Sequence, residues 1–97
     1  MKKITYFYIR SCPYCILANR AIEELKREDP AYREIEIERI CEEENPDVIA
    51  GYDYYYVPCM FIGSLKIYEA HPLQRYDERK ASVKQVFDAA VNDGISN

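Results

Sequence analysis

The chain has no tryptophan, one histidine and only three glycines. An excess of basic residues is also missing: 13 Lys and Arg stand against 17 Asp and Glu, a net charge of −4. Without a basic patch there is no electrostatic footprint for sequence-independent nucleic-acid binding. No segment suits a membrane or a secretion signal. Residues 1–10, MKKITYFYIR, begin with basic residues, but the apolar stretch that follows ends at Arg10. That is short of the roughly 7–15 apolar residues of a signal peptide, and no small-residue cleavage site follows. A cytoplasmic chain without a membrane partner is therefore expected, in a compartment where structural disulfides are rare. A second Cys-x-x-Cys or a His-x-x-x-His pair is lacking too. Besides Cys12 and Cys15, the remaining candidate ligands, Cys41, Cys59 and His71, are single residues at irregular spacings, so a four-ligand zinc site is not expected. There is no internal repeat, low-complexity tract or linker, and residues 1–97 read as a single domain.

What is present supports one modest core: 48% of residues are hydrophobic and 13% aromatic. Ten aromatics are tyrosines, so much of the aromatic surface carries a hydroxyl that needs water or a partner. Lys3–Ile9 is dense in β-branched and aromatic residues and predicts a buried strand. Pro13 suits the first position of a helix. From Tyr14 to about Arg27, Ala18, Ala21, Ile22 and Leu25 recur at helical spacing, and Asp29-Pro30 stops the run. Glu34–Glu38 alternates with period two and predicts a second strand. Glu42–Glu44 reads as a solvated acidic run, followed by Asn45-Pro46 at the start of a short helix reaching about Tyr52. Cys59–Ile62 predicts a third strand, Gly63-Ser64-Leu65 a turn, and Lys66–Glu69 a fourth strand. Asp77 is a candidate cap for a last helix whose stripe is Val83, Val86, Phe87, Ala90 and Val91, closed by Gly94.

The order is β-α-β-α-β-β-α. Strands joined through a helix should be parallel by a right-handed crossover, and those joined by a tight turn antiparallel. The expected architecture is α/β, a mixed four-stranded sheet with helices on both faces.

Cys12-Pro13-Tyr14-Cys15 lies between the first strand and the first helix. Two cysteines so spaced can bind zinc, staple a loop or exchange electrons. With Val57-Pro58 downstream, a β-hairpin and a last helix, the chain resembles a glutaredoxin-like protein of the thioredoxin-fold superfamily over nearly its whole length. The resemblance implies a thioredoxin-like fold, a cis bond at Val57-Pro58 and a dithiol–disulfide oxidoreductase. In that reading Cys12 is the nucleophile and Cys15 the resolving thiol. Arg10, Tyr14, Val57 and Pro58 match substrate-binding positions. The attacking species is the thiolate. Cys12 just ahead of a helix, where free N–H groups and the dipole favour an anion, with Arg10 close by, is placed to form one.

The resemblance further implies protein or low-molecular-weight disulfides as substrates of a monomer, with no resident cofactor and with glutathione or a thioredoxin-reductase-like flavoprotein as reductant. The Gly-Gly pair of glutathione-using members is missing: the corresponding region reads Ile67-Tyr68-Glu69-Ala70-His71-Pro72. Without glycine the backbone approaches a ligand less closely, and Glu69 would repel a carboxylate. Other readings stay open. One is an iron–sulfur or metal carrier or sensor using Cys12 with other thiols. Another is a redox-inert adaptor working through its tyrosine-rich face. Cys59, next to Pro58, is either core filler or an accessory thiol, and Cys41 reads as structural. Of Tyr52, Tyr54, Tyr55 and Tyr56, at least two should only pack; the rest could form an aromatic rim.

Overall fold

The computed structural model describes residues 2–92; the stop expected at Gly94 lies outside them. Four strands, β1 (Ile4–Tyr8), β2 (Ile37–Cys41), β3 (Cys59–Ile62) and β4 (Leu65–Glu69), make one sheet in the order β2-β1-β3-β4. β1 and β2 are parallel, with Ile4 opposite Ile37 and Tyr8 opposite Cys41. β3 runs antiparallel to both β1 and β4. Helices α1 (Pro13–Glu28), α2 (Pro46–Ile49) and α3 (Tyr76–Val91) complete the expected order.

α1 begins with Pro13 in its first turn, where a missing N–H leaves no intrahelical bond unmade. Its buried residues, Cys15, Ala18, Ala21, Ile22 and Leu25, face the sheet. α3 packs on the same sheet face through Val83, Val86, Phe87 and Ala90, all fully buried with Ile4, Tyr6 and Met60. Each large apolar side chain taken fully from water contributes about 1.5–3 kcal/mol. The opposite face is covered more thinly. There Phe7, Cys59 and Phe61 are roofed by Ile49 of α2 and by Tyr52, Tyr54 and Val57. Helices thus lie on both faces, but unequally. The β3–β4 hairpin turns through Gly63-Ser64, with Gly63 at φ 59°, a left-handed value that glycine adopts without steric cost.

Three boundaries differ from the sequence-based expectation. The second strand is not Glu34–Glu38 but Ile37–Cys41. Asp29 accepts the N–H of Ala31 at 3.0 Å and starts a 3-10 turn over Pro30–Glu34, which buries Tyr32. The Ile35 N–H closes on the Tyr32 carbonyl, so the alternating stretch is half turn and half strand. The short helix ends at Ile49 rather than Tyr52. The last helix is capped at Arg75, not Asp77. The Glu78 carboxylate accepts the Arg75 N–H at 2.8 Å, leaving Asp77 in the first turn, where the helix dipole favours an acid.

Candidate active site

The loops after β1, after β2 and before β3 meet around the N-terminus of α1, and the start of the loop after β4 bonds back to Pro58. Cys12 is the residue immediately before that helix, with extended backbone (φ −83°, ψ 118°). Its carbonyl accepts the N–H groups of Cys15 at 3.1 Å and Ile16 at 3.2 Å, so the motif is wound into the first turn. The Cys12 thiol is half-buried and points at the Val57 carbonyl, Sγ to O 3.9 Å. Val57-Pro58 is a cis peptide, so the loop ahead of β3 presents the Val57 backbone to the thiol. Val57 and Pro58 are thus brought to Cys12 from 45 residues away in sequence.

Cys15 lies one turn below and is 2% exposed. Burial pushes its thiol up to about 12, the neighbouring Cys12 adding to the rise against a lowering contact with the Ile9 backbone. A thiol so placed stays protonated at neutral pH. Both cysteines are free thiols, as are Cys41 and Cys59.

Arg10 is not free to act as a lone cation beside Cys12. Its guanidinium is paired with Glu44, and its N–H reaches Glu43 Oε1 at 3.4 Å. The Glu42–Glu44 run, expected as a solvated face, is a 3-10 turn directly after β2. Because β1 and β2 are parallel, their carboxyl ends lie side by side, and the acidic turn comes to rest against the dithiol loop. That placement was deducible from the crossover rule. Glu42 accepts the hydroxyl of Tyr54, and Glu43 lies 3.7 Å from the Cys41 sulfur.

Cys59 opens β3 and is fully buried between Phe7 and Phe61. Burial, followed by Glu69 and Glu42, raises its thiol far above the ordinary value. An accessory role would require this core to open. Tyr52 and Tyr54 do the expected packing, their rings 4.7 and 5.0 Å from that of Phe7, with the Tyr54 hydroxyl turned to Glu42. Tyr55 and Tyr56 are the exposed pair, at 85% and 53%. Tyr14 and Ile16, in the first turn of α1, and the almost wholly exposed Leu73 are exposed apolar side chains as well. Leu73 has φ 69°, a left-handed conformation that costs a leucine about 1–2 kcal/mol.

Glu69, expected as a charge that would repel a carboxylate, is not an unpaired charge. It accepts the backbone N–H of Tyr55 at 2.5 Å and of Tyr56 at 2.8 Å, and pairs with Lys66 at 2.7 Å. Burial works to raise this carboxyl, but Lys66 and the two N–H groups outweigh it and hold it below the ordinary value. The carboxylate is therefore the tether of the loop that carries Val57. A depressed carboxyl contributes stability above its unfolded value, ~4.3, and loses it as pH falls through the folded value. Amide hydrogen exchange at Tyr55 and Tyr56 is expected to lose protection in that acid window, after correction for intrinsic rates. In Glu69→Gln the protection should already be weakened at pH 7; unchanged protection in both cases would show that the tether is dispensable.

One residue carried no signal in the sequence reading. Arg79, on the first turns of α3, is 0% exposed. It donates from Nη1 to the Tyr68 hydroxyl at 2.7 Å and from Nη2 to the Gln74 carbonyl at 3.4 Å, and its Nε has no partner. The guanidinium lies against the ring of Tyr14, 4.8 Å from the centroid. Burial raises Tyr68, with Arg79 pulling in the opposite direction.

Among the described residues, no three His, Cys, Asp or Glu side chains are grouped to hold a metal ion. No helix there is long and apolar enough to cross a membrane. Comparison by sequence with protein families and with curated proteins gives no match. Comparison of the structure does: it is similar to thioredoxin 1 from the thermophilic eubacterium Thermosipho africanus TCF52B. The TM-score is 0.57 and the identity 23%, over 89% of this chain and 94% of that one. The chain has the thioredoxin-like fold.

Proposed function

We propose that this chain is a glutaredoxin-like dithiol–disulfide oxidoreductase that reduces protein or mixed disulfides through Cys12 and Cys15. The observation that carries the reading is the pairing of a half-buried Cys12 thiol at a helix N-terminus with a fully covered Cys15 one turn below. The Cys12 thiolate attacks one sulfur of a substrate disulfide. A mixed disulfide forms, and the other substrate sulfur leaves as a thiolate that takes up a proton. Cys15 then attacks Cys12 Sγ, its proton passing to the departing thiolate, and the Cys12–Cys15 disulfide forms. Two electrons from an external thiol or flavoprotein restore the dithiol.

Val57 and Pro58 shape the floor against which the substrate sulfur lies, and Tyr14 walls one side. Arg10 contributes with its charge already paired to Glu44 and its backbone N–H turned to Glu43. The exposed apolar side chains Tyr14 and Ile16 beside the dithiol, with Tyr55 and Tyr56 just ahead of Val57, suit a polypeptide flanking the disulfide better than a small charged thiol. The absence of glycine over residues 67–72 also favours a flavoprotein reductase over glutathione as donor. A cytoplasmic monomer without resident cofactor is the matching setting.

The test is a coupled assay on a protein disulfide and on a mixed glutathione disulfide, with thioredoxin reductase or with glutathione and its reductase as donor. Turnover of the protein disulfide, several-fold faster with the flavoprotein donor, is expected. Turnover only with glutathione would overturn the choice of donor; no turnover with either would overturn the oxidoreductase reading.

A further inference from the structure

Arg79 stands out because nothing in the fold explains its charge. Buried guanidinium groups are ordinarily paired with carboxylates, since taking an unpaired charge out of water is costly. Arg79 is fully buried, yet it takes part in no ion pair among the described residues, and its Nε–H is left without an acceptor. Its acceptors are a phenol and a main-chain carbonyl, both neutral. A buried polar atom left unsatisfied in a native structure calls for an explanation in function or strain.

Its surroundings supply one. The groups facing it are Tyr14 from α1, Tyr68 from β4 and the Gln74 carbonyl from the loop before α3. Tyr14 separates the two cysteines in the sequence, so the cation is packed against a side chain of the segment that joins them in the first turn of α1. No water-exposed surface of the guanidinium screens it. Fields act over longer range in such surroundings than in water.

We infer that Arg79 is the buried counter-charge of the dithiol, a positioning residue that holds Tyr14 and favours the reduced, anionic state of Cys12 over the disulfide. The inference rests on the oxidoreductase reading above. The Cys12–Cys15 disulfide takes up two electrons; one sulfur gains a proton and the other, as a thiolate, keeps its electron pair unprotonated at the pH where it is ionised. Negative charge is thus present only in the reduced state. A fixed cation packed against Tyr14 stabilises that state alone and raises the reduction potential.

The experiment equilibrates the full chain in buffers of reduced and oxidised glutathione. Two glutathione thiols reduce the protein disulfide and leave as oxidised glutathione; the fraction of free Cys12 and Cys15 is read by mass after acid quench and alkylation. In Arg79→Met the equilibrium is expected to move about tenfold toward the protein disulfide, which corresponds to a potential lower by about 30 mV. Arg79→Lys, which keeps the charge, should recover most of the shift. A purely structural role predicts a lower melting temperature with an unmoved equilibrium, and that result would overturn the inference. So would equal shifts in the Met and Lys variants. Should Arg79→Met fail to fold, Arg79→Gln against Arg79→Lys gives the same comparison. If the unmodified chain forms no Cys12–Cys15 disulfide in any of these buffers, the oxidoreductase reading fails instead, and the two failures are told apart.

Discussion

Cys12→Ser is expected to reduce disulfide turnover by on the order of 10³-fold or more, the scale on which loss of a nucleophile is felt. Cys15→Ser should behave differently. It leaves the first attack intact and removes the thiol that resolves the mixed disulfide, so the protein should accumulate covalently joined to its substrate. Mass spectrometry of the quenched reaction distinguishes the two variants directly. The asymmetry follows from burial. Cys12 is half-exposed and touches the Val57 carbonyl, whereas Cys15 is covered and held protonated near neutral pH. Iodoacetamide should accordingly modify Cys12 first in the native reduced chain. Folding should be little affected by Cys12→Ser, within about 0.5 kcal/mol, because the thiol makes one weak polar contact. Retained turnover in Cys12→Ser, or trapping in that variant but not in Cys15→Ser, would reverse the assigned roles.

Phe7→Ala is expected to give the largest loss of stability tied to the site. Phe7 is fully buried in β1, with Tyr52 edge-on at 4.7 Å, Tyr54 stacked at 5.0 Å and Phe61 edge-on at 5.8 Å. Removing such a ring costs about 3–5 kcal/mol. That is a large part of the roughly 5–15 kcal/mol total of an ordinary domain. For a chain of this length the melting temperature should fall by more than about 12 °C. Activity should fall with it below the melting range, because Tyr52 and Tyr54 lead into the loop that presents Val57 to Cys12. A comparable loss on the other face, for instance from Ile22→Ala, should lower the melting temperature with less effect on turnover. Equal effects of the two on activity would show that the aromatic roof does not position the loop.

Much of the fold was legible because its signals are local. The stripe Ala18, Ala21, Ile22, Leu25 fixes α1, and Gly63-Ser64 between two apolar runs fixes the hairpin. The second strand was placed too early because Glu34–Glu38 alternates whether or not it is paired. Only the Asp29 cap and the burial of Tyr32 decide that its first half is a turn. The place of Cys12 and Cys15, after β1 and at the start of α1, was legible from spacing and context. The partners of Glu69 and Tyr14 were not, since they come from other elements. Arg79 is the clearest instance. It lies four residues before Val83 on the inward stripe of α3, where a charged residue reads as the end of the apolar face. Its burial became visible only once Tyr14 and Tyr68 were seen to cover it.

The uneven cover of the sheet has a consequence for chemical ageing. Cys59 lies behind a roof of a four-residue helix and a tyrosine-rich loop, not behind a long helix. Segments of that kind open independently of the whole, at a smaller free-energy cost than global unfolding. In a peroxide-rich setting a Cys12 that turns over as proposed would be oxidised and restored within that cycle. A sulfenic or higher acid formed on Cys59 during such an opening would put a larger, polar group between Phe7 and Phe61 and would prevent the roof from closing. The working lifetime of the molecule would then be set by how often Tyr52 and Tyr54 lift from Phe7, rather than by wear on the dithiol.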